Sequence, residues 1–209
     1  MKLVLASHNT KKLVELQALL GGLPVQLLPQ PALRIAEAQE PHGTFVENAL
    51  AKARHAAAHS QGPAIADDSG LCVDALGGEP GVASAHYAPA VADEGDREQR
   101  RARQDAANTA LLLQRMAGEA DRRARFVSTL VALRHALDPE PLIASGCWEV
   151  ELLQAPRGRG GFGYDPVVLV PSHGCSVAEL DTASKNRISH RALAARQMCA
   201  LLREVWRLP

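Results

Sequence analysis

Residues 64–81 read AIADDSGLCVDALGGEPG. The apolar run Ala64-Ile65-Ala66 meets two adjacent aspartates, Asp67 and Asp68, followed at once by the small residues Ser69 and Gly70. Read as a strand over 63–69, this is where the edge of an α/β sheet meets solvent and ligands gather. Two neighbouring carboxylates repel, so folding alone gives little reason to pair them; a divalent cation would remove the repulsion. The competing reading is a turn or helix cap, because Asp, Ser and Gly all favour chain reversals.

The flanking segments place this stretch in an alternating pattern. Upstream, TFVENALAKARHAAAHSQG (44–62) predicts a helix, with Thr44 and Glu47 spaced as a capping box and Gly62-Pro63 as its stop. Before it, KLVLA (2–6) reads as a short buried strand, and Leu13, Leu16, Leu19 and Leu20 lie at helical spacing ahead of Gly21-Gly22. A second strand is expected within PVQLLPQPAL (24–33), broken by its prolines. Downstream, the polar, Arg-rich region 89–124 reads as helix, and 124–136 and 140–154 read as two long strands joined antiparallel by a turn at LDPEP. RGRGGFGYDPVVLVPS (157–172) is a glycine-rich loop running into another strand. A closing helix over 188–206 presents Ala194, Met198, Leu201, Leu202 and Val205 on one face. Strands alternate with helices first and pair antiparallel later, which predicts a mixed α/β fold of two lobes around a cleft.

Composition narrows the function. With 23 Lys plus Arg against 23 Asp plus Glu in 209 residues, the chain lacks the basic excess of a general nucleic-acid binder. A local basic pocket for a small anion remains compatible with that balance. The hydrophobic fraction is 46% with only 3% aromatic, so Leu, Val and Ala must fill the core. The cysteines Cys72, Cys147, Cys175 and Cys199 have no metal-binding spacing and read as free thiols in a reducing compartment. The apolar part of MKLVLASHNT is too short for a signal peptide, and no apolar run approaches about 18 residues. A soluble, cytoplasmic protein without a membrane partner is expected.

Three segments carry candidate chemistry. ASHNTKK (6–12) sits where a strand feeds a helix, a place where backbone N–H groups attract phosphate and Ser7, Asn9 and Thr10 add polar donors. Lys11 and Lys12 there oppose the helix dipole unless an anion joins them, and the segment is no Walker A loop. SHRALAA repeats the pattern: with Ser189 as cap, His190 and Arg191 fall in the first turn, and Lys185 lies just upstream. Two helix starts that both carry cations point to one shared polyanion. GGFGYDP holds Phe162 and Tyr164, two of only seven aromatics, in a setting where glycines let backbone approach a flat ligand and a ring stacks on a base. Asp165 can accept from a ring N–H, although a glycine-rich turn with core aromatics has the same composition. Glu47 reads as a capping residue, Lys52 as a reach into a site or a solvated lysine, and Glu37 and Glu40 as carboxylates available to a metal.

Taken together, these segments resemble the Ham1-like family of nucleoside triphosphate pyrophosphatases, also called inosine triphosphate pyrophosphatases. The pattern T/S-x-N-x-x-K is met by Ser7, Asn9 and Lys12, and TFVENALAKARHAA, AIADDSGL, ALGGEPGV, GGFGYDP and SHR match further blocks in the family's order. The resemblance spans nearly the whole chain as one domain, residues 1–209. It implies an elongated mixed sheet with helices, two lobes around a central nucleotide-binding cleft, and a homodimer. It also implies Mg²⁺-dependent hydrolysis of dITP, ITP and XTP to the monophosphate plus pyrophosphate, cleansing the nucleotide pool.

By the same resemblance Asp68 is the general base and a metal ligand, with Asp67 beside it. Ser7, His8, Asn9, Thr10, Lys11, Lys12 and Lys52 hold the triphosphate, and Ser69 lies against the nucleotide. Phe162, Gly163, Tyr164, Asp165, Lys185, His190 and Arg191 enclose the base. One departure stands out: bacterial members read E-E-T-G-x-T-F before the first-lobe helix, whereas this loop reads EAQEPHGTF, one residue shorter. Glu40 is the choice for the second metal ligand, with Glu37 as the alternative. Two rival functions remain: a catalytically silent nucleotide sensor, and a Maf-like pyrophosphatase, whose S-x-S-x-R-R motif disagrees with SHNTKK.

Overall fold

The computed structural model describes residues 1–92 and 95–209, so Asp93 and Glu94 of the polar region lie outside the described residues. Seven strands are found among them: β1 (Lys2–Leu5), β2 (Gln26–Pro29), β3 (Ala64–Val73), β4 (Arg123–Leu133), β5 (Leu142–Leu152), β6 (Val168–Val170) and β7 (Cys175–Ser176). The α-helices are α1 (Thr10–Leu19), α2 (Phe45–Ser60), α3 (Arg97–Arg115), α4 (Thr182–Ile188) and α5 (His190–Glu204). The sheet order is β2-β1-β3-β4-β5-β6-β7. β1 pairs parallel with β2 and β3, whereas β6 pairs antiparallel with β5 and β7. The expected mixed α/β class is therefore observed. No helix of the described residues is long and apolar enough to cross a membrane.

The chain divides into two compact units, the first built from residues 1–69, 128–147 and 188–209, the second from 70–127 and 148–187. In the first unit the two-residue period of the strands sorts side chains to two faces. Leu3, Leu5, Ile65 and Leu130 face Leu16 and Leu20 together with Met198 and Leu202 of α5. Val4, Ala6, Ala64, Ala66 and Val131 face Ala49, Ala53, Ala56 and Ala57 of α2. That alanine stripe leaves α2 with small side chains against the sheet. Gly146 on β5 makes a tighter contact still: a Cβ there would lie 2.0 Å from the His190 carbonyl oxygen and 2.6 Å from the Ala194 nitrogen. The absence of a side chain thus lets the first turn of α5 rest directly on the strand.

Each long helix starts on a side-chain cap. Asn9 accepts from the backbone N–H groups of Lys11 and Lys12, Thr44 from Glu47, Asp96 from Glu98 and Gln99, and Ser189 from Ala192. Each cap satisfies donors that the helix itself leaves open.

Several expectations are corrected. β3 does not end at Ser69 but runs on to Val73, because Leu71, Cys72 and Val73 are buried and prolong the strand. The prolines end β2 at Pro29, and a 3₁₀ turn follows over Gln30–Leu33. The closing helix begins at His190 and follows a separate short helix, α4, the two parted by the extended Ser189. On its inner face Ala194, Met198 and Leu202 are buried, but Val205 is exposed because the helix has ended by then. All four cysteines are free.

Candidate active site

The acidic pair lies within β3, and successive side chains of a strand point to opposite faces. Asp67 follows Ile65 to the face covered by α1 and α5; Asp68 follows Ala64 and Ala66 to the face covered by α2. The repulsion posed by the sequence is therefore relieved without any cation from outside. Each carboxylate has a lysine of its own.

Asp67 is fully buried and surrounded. Its Oδ2 lies 2.7 Å from Lys12 Nζ and 3.2 Å from Arg191 Nε, and also accepts from Ser69 Oγ at 3.1 Å. Ser128 Oγ donates to Oδ1 at 2.7 Å. Burial pushes this carboxyl up, but Lys12 and Arg191 outweigh it and hold Asp67 well below the usual carboxylate range. Lys12 is lowered by its own burial, with Asp67 opposing and Arg191 adding to the effect. Arg191 also reaches Glu15 at 3.0 Å and Ser69 at 2.8 Å. The two cationic helix starts do share an anion, and it is the side chain of Asp67. This explains why α1 and α5 tolerate cations in their first turns, and it leaves Asp67 a fixed anchor.

Asp68 is different. Lys52 Nζ donates to its Oδ1 at 2.7 Å and to Glu40 Oε2 at 3.0 Å, while Asp68 Oδ2 is buried without a hydrogen-bond partner. Burial raises the Asp68 carboxyl to about 6, Glu40 adds to the rise and Lys52 opposes it. Burial also pushes Glu40 up, yet Lys52 outweighs it and brings that group below its ordinary value. Lys52 is pulled down by burial but raised on balance by Asp68 and Glu40. Of the two loop carboxylates, Glu40 stands beside Lys52, whereas Glu37 Oε1 lies 3.9 Å from His8 Nδ1. The buried Asn48 amide holds the backbone of His42, accepting from its N–H at 3.0 Å and donating to its carbonyl at 3.1 Å. That clamp fixes the loop two residues beyond Glu40.

The donor set can be matched to a metal. Lys12, Lys52 and Arg191 face Asp67, Asp68, Glu40 and Glu15, so the cluster carries more carboxylates than cations. The bare Asp68 Oδ2 and the nearby Glu40 supply two oxygen-bearing groups. Among the described residues no group of three or more His, Cys, Asp or Glu could hold a metal ion. A cation that needs a full protein cage is not served here. Mg²⁺, which takes one or two carboxylates and keeps waters or phosphate oxygens, fits.

At the start of α1, Asn9 is buried and Ser7 accepts from its backbone N–H at 3.1 Å. The Lys11 and Lys12 amides already donate to Asn9, while the Thr10 and Lys11 side chains are exposed. His8 bonds the Ile35 carbonyl through Nε2 at 3.0 Å. His190 is buried at the first position of α5.

The glycine-rich loop belongs to the second unit. Asp165 Oδ2 accepts from the Phe162 N–H at 2.9 Å and from Lys185 Nζ at 2.7 Å, and Lys185 Nζ sits 4.8 Å from the centre of the Phe162 ring. Asp165 thus holds both the loop and the lysine through its Oδ2. Gly161 has φ +74, and a Cβ there would meet Asp165 Oδ2 at 2.0 Å, so only glycine fits. Tyr164 is buried with its hydroxyl donating to the Ser84 carbonyl at 2.9 Å, and burial pushes its phenol up. The other ring of the loop, Phe162, is only half-buried.

Sequence reasoning missed Ser128, Glu15, Asn48 and Asp105. Glu15 follows Lys12 by three residues, a helical neighbour that the pattern offered. Ser128, with Thr129 next to it, brings a hydroxyl into the otherwise apolar second half of β4.

The mixed sheet and the buried lysine–carboxylate cluster on β3 define an α/β protein with a charged site on both faces of its central strand. The family model described as the Ham1 family matches residues 3–201, and the chain belongs to that family. It is 66% identical to a protein of Methylibium petroleiphilum named dITP/XTP pyrophosphatase, covering 99% of each chain. It is 64% identical to a protein of Leptothrix cholodnii with the same name, over the full length of both. Among solved structures, a HAM1 protein from Coxiella burnetii superposes with TM-score 0.85 at 42% identity, covering 98% of this chain and 100% of that one.

Proposed function

We propose that this protein hydrolyses dITP, ITP and XTP to the monophosphate and pyrophosphate, with Asp68 as the base that takes the proton from water. The observation that carries the reading is the Asp68 carboxylate itself: buried, bonded to Lys52 at one oxygen and bare at the other. Asp67 serves by fixing Lys12 and Arg191, and Lys52 bridges Asp68 to Glu40. Lys12 and Lys52, with the strand-to-helix segment 7–12, neutralise charge on the triphosphate and the departing pyrophosphate. The names borne by full-length relatives support the same substrate class.

Asp68 and Glu40 would hold Mg²⁺, which when bound would screen phosphate charge and polarise the phosphoryl group. Ser69 lies beside the nucleotide. Phe162 offers the face on which the base stacks, and Lys185 or His190 supplies a donor to the 6-oxo group. A 6-amino group in that place leaves the donor facing another donor, which disfavours ATP. A cytoplasmic homodimer is part of the same reading.

The test is kcat/KM of the purified protein on dITP, XTP, dGTP and ATP, with Mg²⁺ and with EDTA. High values for dITP and XTP, low values for ATP and dGTP, and loss in EDTA are expected. Equal rates on all four substrates would refute the specificity, and full activity in EDTA would refute the metal's part.

A further inference from the structure

Helix α3 exposes its Arg-rich first turns, and beyond them it grips the glycine-rich loop. Asp105 Oδ2 accepts from the Gly163 N–H at 2.9 Å, across 58 residues of sequence. One turn further on, the buried Asn108 accepts from Gln104 of the same helix at 3.0 Å and also reaches a second segment. Its oxygen accepts from Ala88 N–H at 2.9 Å, and its nitrogen donates to the carbonyls of Ser84 at 3.2 Å and Ala85 at 3.1 Å. The Ser84 carbonyl also receives the Tyr164 hydroxyl at 2.9 Å. α3 therefore holds the loop twice: directly at Gly163, and through Ser84 at Tyr164.

Gly163 adopts φ +62, the left-handed region, immediately after Phe162. The Phe162 amide is held by Asp165 and the Gly163 amide by Asp105, so two carboxylates pin consecutive N–H groups. Between those two bonds lies the peptide that sets where the Phe162 ring points. On its other side Lys185 stands 4.8 Å from the ring centre.

We infer that Asp105 is a positioning residue for nucleobase recognition, fixing the Phe162–Gly163 peptide so that the ring is preset for stacking. The inference rests on the proposed reading of this loop as the platform for the base. A preset loop avoids the ordering cost that binding otherwise has to meet. Because Asp105 touches neither phosphate nor water in this role, its removal weakens binding of the base and spares the chemical step.

The experiment compares Asp105→Ala and Asp105→Asn with the wild-type protein. For Asp105→Ala, KM for dITP is expected to rise about tenfold while kcat falls less than threefold, with inhibition by pyrophosphate unchanged. Hydrogen–deuterium exchange of residues 160–165 is expected to speed up. Asp105→Asn, whose amide oxygen accepts the same bond, should restore most of both. An unchanged KM in Asp105→Ala overturns the inference, as does a parallel loss of kcat and pyrophosphate inhibition, which marks general damage. An asparagine variant as poor as the alanine one overturns it as well. If wild-type protein turns over no dITP, the proposed function fails on that control; unchanged exchange at 160–165 then overturns the positioning role independently of turnover.

Discussion

Asp68→Asn is expected to stabilise the protein above pH 7 while abolishing turnover. The folded structure lifts the Asp68 carboxyl from its ordinary 3.8 to about 6. Ionising it is therefore harder in the folded state than in the unfolded chain. The sign is opposite to that of a salt-bridged carboxylate: the penalty is full above about 6 and fades as pH falls towards 3.8. At about 1.4 kcal/mol per pH unit, the shift corresponds to a penalty of about 3 kcal/mol at full ionisation. Asparagine resembles the protonated acid in size and charge, so most of that penalty is removed. Lys52 loses one partner but keeps Glu40 at 3.0 Å, which limits the secondary cost. A gain of roughly 1–3 kcal/mol at pH 8 follows, shrinking to nearly zero by pH 4. Urea unfolding of both proteins at pH 8, 6 and 4, in EDTA, reads this directly. A variant less stable than wild type at pH 8, or a stability gap that persists unchanged at pH 4, would refute the reasoning.

The other expectations concern the groups around that carboxylate. Asp67→Asn leaves Lys12 and Arg191 buried without their shared anion and should cost about 3–5 kcal/mol at pH 7 by urea unfolding. Because the folded Asp67 carboxyl lies below its unfolded value, its contribution is complete above roughly pH 4 and is lost as pH falls through the folded value. Gly146→Ala places a methyl 2.0 Å from the His190 carbonyl oxygen and should destabilise by about 1–3 kcal/mol or more, seen as a lowered Tm. Asn48→Ala releases the His42 backbone and with it the Glu40 loop. The Mg²⁺ concentration for half-maximal activity should rise about tenfold, as for loss of a group that orients a metal ligand.

The sequence showed the site's ingredients better than their arrangement. Asn9, Thr44 and Ser189 sit where local chemistry puts helix starts, and the cation-bearing first turns of α1 and α5 were visible as anomalies of helix electrostatics. Their partner was not, because Asp67 is 124 residues from Arg191 and only the packed sheet brings them together. The acidic pair read as the end of a strand because Ser69 and Gly70 resemble a turn. Burial of Leu71, Cys72 and Val73 carries β3 through them and sends the two aspartates to opposite faces. The choice between Glu37 and Glu40 was undecidable from spacing, since loop residues have no period; Lys52 meets Glu40 and His8 meets Glu37. In the glycine-rich loop, two aromatics looked alike in sequence. Only burial distinguishes Tyr164, turned into the core against Ser84, from Phe162.

The most direct test is ³¹P NMR of dITP incubated with the purified protein and Mg²⁺. The account requires the triphosphate resonances to give way to monophosphate and pyrophosphate in equal amounts, and to persist with Asp68→Asn. Diphosphate with inorganic phosphate as the products, or unchanged turnover by Asp68→Asn, would contradict it.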